Sequence, residues 1–287
     1  MYTIWIRTDM CLSDEEVEAL RGRVPKVSDF EYLIDEDSIV METPGKVIAR
    51  LVTNGIPQKV VTNTSNHLKT VRGDRSARGG VIHKDAMMYR ERKDGSLGPT
   101  TAVPPSVLQF LREQNVRLGL TGPYSNFLGY FDKTSREDLC RPTAWSLRSP
   151  RILEISRSLV KEVEYVNKSE LLDHWRRQRE FMKGVSSRFK YENSMFSTVT
   201  VNLNASFRYH IDEGDFRGGI GNLVVLELGD DRSGILVMPR ERVAFIVRPT
   251  DVLLMDVHHM HGNLPLTSGG TRLTAVLYAR ENINKCK

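Results

Sequence analysis

The sequence has few cysteines and no long apolar run. Its three cysteines, Cys11, Cys140 and Cys286, are widely spaced and form no CxxC pair. That pattern indicates neither a zinc knuckle nor a disulfide framework, and it is typical of a reducing interior. No segment reaches the roughly 18 apolar residues of a membrane span, and the first residues lack the apolar stretch of a signal peptide. We therefore expect a cytoplasmic protein that makes no membrane contact.

Internal repeats and low-complexity tracts are also absent. With 40% hydrophobic and 27% charged residues, the composition excludes disordered and collagen-like classes. The 287 residues suffice for one large core or two small ones. The net charge of +5 fits a polyanionic partner such as nucleic acid, but many proteins that bind none are equally basic.

Capping signals predict helices in the first two thirds of the chain. A capping box at 13–16 precedes a short helix that ends at Gly22. Three more helices are predicted, over 104–114, 149–166 and 169–184. The last of them carries Arg176, Arg177, Arg179 and Lys183 on one face. That face is either solvated or directed at phosphates.

From residue 196 onward the pattern changes to period two and short apolar runs. Six strands are predicted, over 196–203, 222–228, 234–239, 242–248, 251–257 and 272–279. Two more are predicted within 47–62, around a turn at 55–57. Short strands at this spacing form a sandwich, jelly roll or barrel, and the preceding helices would pack on one sheet face. Because no linker separates the halves, we predict one α+β domain.

Histidines and an aspartate stand where two of these strands end. His210 and Asp212 follow the first long strand, and residues at i and i+2 point the same way in a strand. His258, His259 and His261 follow another. A His-x-Asp pair with a distant histidine is the 2-His-1-carboxylate set of non-haem Fe(II), although a solvated turn is the other interpretation. We favour His261 as the third ligand, with the other two histidines as supporting or ordinary strand residues.

An arginine at the head of the last strand suits a keto-acid cosubstrate. Arg272 follows His261 at a distance that fits neighbouring strand ends. A buried arginine there would hold the distal carboxylate of 2-oxoglutarate as a bidentate pair. Thr274 shares its strand face and would add a hydroxyl. The alternative is a surface charge, which the apolar residues around Arg272 disfavour.

Several blocks of sequence together resemble the TET/JBP family of Fe(II)/2-oxoglutarate-dependent dioxygenases. These blocks are VTVNLNASFRYHIDEGDF, GILVMPRERVAFIVRPTDVLLMDVHHMHGNLPL and TRLTAVLYAREN. The upstream blocks VRGDRSARGG and GYFDKTSREDLCRPTAW are similar to the JBP-like and phage-encoded members. The resemblance covers roughly 47–285. For the first 45 residues we can name no resemblance.

The resemblance implies a double-stranded β-helix core, jelly-roll and cupin-like, with N-terminal helices packed on one face. One dioxygenase domain would span 1–287, with an N-terminal part at 1–125 and helices plus the core at 126–287. The family oxidises the 5-methyl group of a pyrimidine in DNA, which is 5-methylcytosine in TET and many phage members and thymine in JBP. We expect 5-methylcytosine, converted to 5-hydroxymethylcytosine or beyond.

The resemblance also implies roles for individual residues. His210, Asp212 and His261 would bind Fe(II). Arg272 and Thr274 would bind 2-oxoglutarate, with Arg72 and Arg141 near it. Tyr278 would stack on the flipped base, Asp215 would meet the base edge and Asn202 would join the substrate contacts. Asp215 departs from the TET enzymes, which carry an amide at that position.

A methyl group inside a duplex is out of reach, so the target base must be extruded into a pocket. Basic residues over 67–93 and 176–190 would hold phosphates: Lys69, Arg72, Arg75, Arg78 and Lys84 in the first group. DNA and dioxygen are the expected partners, with no obligate protein partner.

The alternatives are an enzyme acting on thymine or on free nucleosides or nucleotides, and a non-catalytic module that binds a modified base. A halogenase is disfavoured because Asp212 fills the position it leaves open, and a zinc hydrolase because no metal-binding helix carries a general-base glutamate.

Overall fold

The strands of the computed structural model gather into two main sheets. The model describes residues 1–7, 10–70, 81–82, 89–91, 97–99, 124–132, 139–229, 234–266 and 271–287. The predicted helix over 104–114 and the predicted site residue Arg72 lie outside them.

Seventeen strands are described in these parts of the chain. They are β1 Tyr2–Trp5, β2 Tyr32–Ile34, β3 Ser38–Thr43, β4 Lys46–Val52, β5 Val81–Ile82, β6 Tyr89–Glu91, β7 Leu97–Pro99, β8 Tyr124–Phe131, β9 Arg141–Pro142, β10 Thr198–Leu203, β11 Ser206–Phe207, β12 Gly221–Leu228, β13 Leu236–Met238, β14 Val243–Phe245, β15 Val252–Met255, β16 Gly262–Asn263 and β17 Arg272–Tyr278. The α-helices are α1 Asp14–Glu18, α2 Gln58–Leu68, α3 Ala144–Arg148, α4 Pro150–Glu170 and α5 Leu172–Lys183.

The larger sheet has nine strands in the order β1-β3-β4-β15-β12-β17-β10-β8-β9. The smaller has four, in the order β16-β13-β14-β2. Two strand pairs, β5 with β11 and β6 with β7, complete the set. The predicted combination of helices with large sheets is therefore confirmed.

The large sheet buries both of its faces, which is why its central strands read as nearly continuous apolar runs. One face packs against the small sheet through a cluster that includes Leu223 and Met255 from the large sheet and Met238 and Phe245 from the small one. The other face packs against α2, α3 and α4 through a second cluster. Helix α1 lies elsewhere, with Val17 beside residues of β13 and β14.

The predicted strands from 196 onward all form, as do the two long helices. The second strand predicted within 47–62 was wrong, because those residues begin α2. Pro57 ends the preceding turn, and Val61, Thr64, Ser65 and Leu68 then bury one helix face at a spacing of three to four residues. Adjacent valines at 60 and 61 resemble a strand only locally. Among the described residues, each helix is too short or too polar to cross a bilayer.

The expectation that the cysteines form no disulfide was also wrong. Cys140 and Cys286 are joined, with their Cα atoms 5.7 Å apart and 146 residues between them in sequence. The bond attaches the turn at Glu281–Lys285 to the segment before β9. Sequence spacing alone could not reveal it, because the pairing depends on the tertiary fold.

Candidate metal and cosubstrate site

The backbone places the predicted metal ligands opposite one another. His210 and His261 form an isolated antiparallel bridge, in which each backbone N–H donates to the other's carbonyl at 2.9 and 3.0 Å. The N–H of Asp212 donates to the carbonyl of Val257 at 3.1 Å. These bonds hold two segments that are about 50 residues apart in sequence at one point in space.

The three side chains converge at that point. One ligand atom from each of His210, Asp212 and His261 lies within 4.8 Å of the others. Each histidine Nε2 lies 3.7 Å from a carboxylate oxygen of Asp212, and the ring centroids are 4.4 Å apart. Two imidazoles and one carboxylate on one side of an ion form the donor set of non-haem Fe(II).

Hydrogen bonds and burial leave both Nε2 atoms available to a metal. The Nδ1 of His210 contacts the carbonyl of Arg208 at 2.7 Å, and that of His261 contacts the carbonyl of His259 at 2.9 Å. A carbonyl can only accept a hydrogen bond, so Nδ1 carries the hydrogen and the lone pair of the neutral ring is on Nε2. Burial, together with the nearby His210, lowers the pKa of His261 to about 4. His261 is therefore neutral near pH 7, as a metal ligand must be.

The other two histidines of the cluster contact carboxylates instead. His258 pairs with Asp256 at 3.1 Å, which raises its pKa. His259 pairs with Glu241 at 2.5 Å; burial opposes its charged form, but that carboxylate raises the pKa overall. Neither histidine belongs to the group that converges with Asp212.

Arg272 brings a buried positive charge to the same cavity. The residue is 4% exposed and lines the cavity with the three ligands. Among the described residues, no carboxylate or carbonyl accepts a hydrogen bond from its guanidinium, and burial lowers its pKa to about 10. Leaving such a charge without a partner is costly, so the cavity suits an anionic ligand at this point.

Gly234 makes room for the side chain of Arg272. Its φ of +77° is in the left-handed region, and a Cβ there would lie 2.6 Å from the Cδ of Arg272. Its carbonyl accepts a hydrogen bond from Asn263, another cavity residue, at 3.2 Å. A larger residue at position 234 would therefore collide with the side chain of Arg272, whose guanidinium lies in the cavity.

The remaining cavity wall carries most of the other predicted residues. The cavity has a volume of about 240 Å³. Every second residue of β17 faces it, which places Thr274 and Tyr278 beside Arg272. Asn202 lies directly opposite Thr274 on β10, and its Oδ1 has no hydrogen-bond partner among the described residues. Asp215 lines the cavity as well.

Arg141 is the predicted site residue that does not line this cavity. It lies on β9, with its guanidinium 5.7 Å from the ring centre of Phe131. Its role near the cosubstrate, like that of Arg72, stays a prediction. Arg280 does line the cavity and was missed. Its position two residues past Tyr278 was a signal, because period two directs both side chains to one face.

The fold has a solved counterpart. The structure of NgTET1 in complex with 5mC DNA matches it with a TM-score of 0.56 at 13% sequence identity, over 96% of this chain and 94% of that one. At this identity the likeness is one of fold alone. No protein-family model matches the chain.

In sequence, the chain is similar to parts of two curated thymine dioxygenases. Thymine dioxygenase JBP1 of Trypanosoma brucei brucei is 34% identical over 170 residues, which cover 56% of this chain and 20% of that protein. The bifunctional helicase and thymine dioxygenase JBP2 of Trypanosoma brucei brucei (strain 927/4 GUTat10.1) is 28% identical over 278 residues, which cover 93% of this chain and 22% of that protein. The chain thus spans about a fifth of the length of these curated relatives.

Fold, donor set and sequence relatives all resemble those of the Fe(II)/2-oxoglutarate oxygenases. Within that class, the chain is similar in sequence to parts of the thymine dioxygenases JBP1 and JBP2 and in fold to NgTET1. The donor set fits Fe(II), and the buried guanidinium of Arg272 in the same cavity fits a carboxylate of 2-oxoglutarate.

Proposed function

We propose that this chain is a dioxygenase that hydroxylates the 5-methyl group of a pyrimidine base in DNA, with 5-methylcytosine as the substrate. One observation carries the proposal: the metal-ligand group shares one cavity with the buried guanidinium of Arg272, which has no hydrogen-bond acceptor among the described residues. We also propose that the two packed sheets form the double-stranded β-helix of this enzyme class.

Each component has a distinct task in the reaction. Fe(II) held by His210, Asp212 and His261 would supply the activation of dioxygen; overall, dioxygen, 2-oxoglutarate and the methyl group would give succinate, CO2 and a hydroxymethyl group, with one oxygen atom in succinate and one in the hydroxyl. Arg272 holds the distal carboxylate of 2-oxoglutarate, and Thr274 adds a hydroxyl beside it. The buried walls exclude water from the reacting groups.

The base would occupy the part of the cavity near Tyr278. Tyr278 is 6% exposed, and its hydroxyl lies 3.2 Å from that of Thr200. Extruding a base costs a few kcal/mol, and stacking on an aromatic ring returns about 1–3 kcal/mol. Asp215 would accept a hydrogen bond from the amino group of the base.

Phosphate contacts are proposed for the basic face of α5. Arg176 and Lys183 there pair with Asp173 and Glu180 of their own helix. Exposed pairs of this kind contribute roughly 0–1 kcal/mol, so a phosphate competes with them easily. Binding of DNA would accordingly weaken as salt is added.

Two other substrates compete with this proposal. Thymine in DNA is favoured by the names of the relatives, both of which are thymine dioxygenases. A free nucleoside or nucleotide is the second, because a net charge of +5 is modest for a protein that binds DNA.

The test supplies Fe(II), 2-oxoglutarate and dioxygen with one of three substrates: DNA containing 5-methylcytosine, DNA containing thymine without methylated cytosine, or free 5-methyldeoxycytidine monophosphate. The DNA products are digested, and all products are identified by mass spectrometry. We expect 5-hydroxymethylcytosine from the first substrate, with one succinate formed for each hydroxyl. Turnover of the free nucleotide alone would overturn the proposal.

The variant His210→Ala tests the ligand assignment. Losing one of three ligands should abolish turnover, because the ion is no longer held against its cosubstrate. The matched control is His67→Ala, which removes a partly exposed histidine of α2 that lies outside the cavity. Full activity in His210→Ala, with a normal melting temperature, would mean that the ligands are misassigned.

A further inference from the structure

Arg280 presents a guanidinium to the cavity that the reaction described above does not use. Its Nε donates a hydrogen bond to Oδ1 of Asp132 at 2.6 Å, and that carboxylate is buried. The guanidinium also lies 5.1 Å from the ring centre of Phe131. A carboxylate and an aromatic ring thus hold the group in one orientation.

The two terminal nitrogens of Arg280 remain available. Among the described residues, neither donates a hydrogen bond to a protein acceptor. When Nε is engaged, the terminal nitrogens of a guanidinium still present two N–H groups side by side in a planar fork. A cavity wall with such a fork selects ligands that carry two adjacent hydrogen-bond acceptors.

Asp215 stands next to this fork. Asp215 and Arg280 form an isolated antiparallel bridge, and both line the cavity. Two flanking backbone hydrogen bonds hold this bridge. The N–H of Phe216 donates to the carbonyl of Ala279, and the N–H of Glu281 donates to the carbonyl of Gly214, both at 2.9 Å. Residues paired in this way have Cβ atoms about 4.5–5.5 Å apart. The wall therefore combines one carboxylate acceptor with two adjacent donors.

We propose that Arg280 is a specificity-determining residue that reads the Watson–Crick edge of the flipped base and selects 5-methylcytosine over thymine. This assignment rests on the proposed function. Cytosine presents an amino donor followed by two adjacent acceptors, N3 and O2. Its amino group would donate to Asp215, and its acceptors would receive the two N–H groups of Arg280. Thymine carries an N3–H between its carbonyls, which would face a guanidinium N–H, donor against donor.

Asp132 is a positioning residue in this scheme. It touches the guanidinium and does not line the cavity. Without the negative charge of Asp132, the guanidinium of Arg280 would no longer be held in one orientation. The Asp132→Asn enzyme should therefore bind the methylated base less tightly, although Arg280 is still present. We expect a higher KM for DNA with a smaller change in kcat.

The experiment is a competition between two duplexes that differ at one base. One carries a single 5-methylcytosine and the other a single thymine, with uracil replacing every other thymine. The hydroxymethyl products are counted by mass spectrometry for the wild type, Arg280→Lys and Asp132→Asn. Lysine keeps the charge but lacks the planar fork. The control is Arg248→Lys, an exposed arginine that pairs with Asp35 at 2.9 Å outside the cavity.

We expect the wild type and Arg248→Lys to prefer 5-methylcytosine by at least about tenfold, as one bidentate contact to a base provides. In Arg280→Lys the ratio should fall towards one, while the KM for 2-oxoglutarate stays unchanged. Asp132→Asn should move the ratio in the same direction. Anisotropy measurements of each duplex binding to the enzyme should give the same order of affinities, and melting temperatures identify any variant that fails to fold.

A wild type that prefers thymine, or an Arg280→Lys enzyme with an unchanged ratio, would overturn the assignment but leave the proposed reaction in place. If the wild type oxidises neither base in DNA, the proposed function itself is wrong.

Discussion

At the scale of single residues, the hydrogen bonds that each polar side chain already makes determine which of its atoms could contact a ligand. The imidazoles of His210 and His261 have Nδ1 engaged by carbonyls and Nε2 left for a metal. Arg272 has no described acceptor, whereas Arg280 has one acceptor and two spare nitrogens. These differences separate the roles of residues that look alike in sequence.

Gly234 provides a test of the cosubstrate contact that leaves the contact residue itself unchanged. In Gly234→Ala, the new methyl group would collide with Cδ and Nε of Arg272, at 2.6 and 2.7 Å. The flexible side chain should yield and carry the guanidinium off its position. We expect the KM for 2-oxoglutarate to rise roughly tenfold, the loss of about 1.4 kcal/mol that a displaced charge-assisted contact implies.

The matched control is Gly45→Ala. Gly45 has a similar φ of +83°, but a Cβ there meets nothing within 4 Å. Both variants carry the strain of an alanine in the left-handed region, about 1–2 kcal/mol, so both should melt earlier. An equal rise in KM in the two variants would contradict the role given to Gly234.

For single residues, the sequence predicted which side chains share one face wherever the two-residue period of a strand alone determines their direction. His210 and Asp212 share a side because they are two residues apart, and Arg272, Thr274 and Tyr278 share one strand face. The same period places Arg280 at the cavity, but the orientation of its guanidinium could not be predicted, because it depends on Asp132, 148 residues away in sequence. The same holds for the contact between Gly234 and Arg272.

At the scale of secondary-structure elements, strands were predicted well and one connection was not. The strands from 196 onward are bounded by clear turn residues and have apolar or alternating interiors. Helix α2 was partly taken for a strand, because its two adjacent valines favour strands while its 3–4 spacing favours a helix. Tertiary packing on the large sheet decides in favour of the helix.

The disulfide links two distant secondary-structure elements, and a measurement of stability tests it directly. Joining Cys140 to Cys286 closes a long loop, and such bonds typically stabilise a fold by about 2–4 kcal/mol. We expect dithiothreitol to lower the urea midpoint of the wild type and to leave Cys286→Ser unaffected. Cys11→Ser is the control and should respond as the wild type does. A wild-type midpoint that ignores the reductant would contradict the pairing.

At the scale of the whole molecule, the fold brings distant segments to one cavity between strands. The proposed metal ligands come from the segments after β11 and before β16, and Arg272, proposed to bind the cosubstrate, comes from β17. This architecture persists at 13% identity to NgTET1, because burial of both sheet faces constrains it more than any particular side chain. The organisation of 1–287 as one dioxygenase domain stays a prediction.

A crystal structure of the protein grown without oxygen, with Fe(II) and 2-oxoglutarate, tests the central claim most directly. We predict one iron ion bonded to Nε2 of His210, Nε2 of His261 and a carboxylate oxygen of Asp212, with the distal carboxylate of 2-oxoglutarate paired to the guanidinium of Arg272. Iron bound elsewhere, or a keto acid whose distal carboxylate lies away from Arg272, would contradict the account.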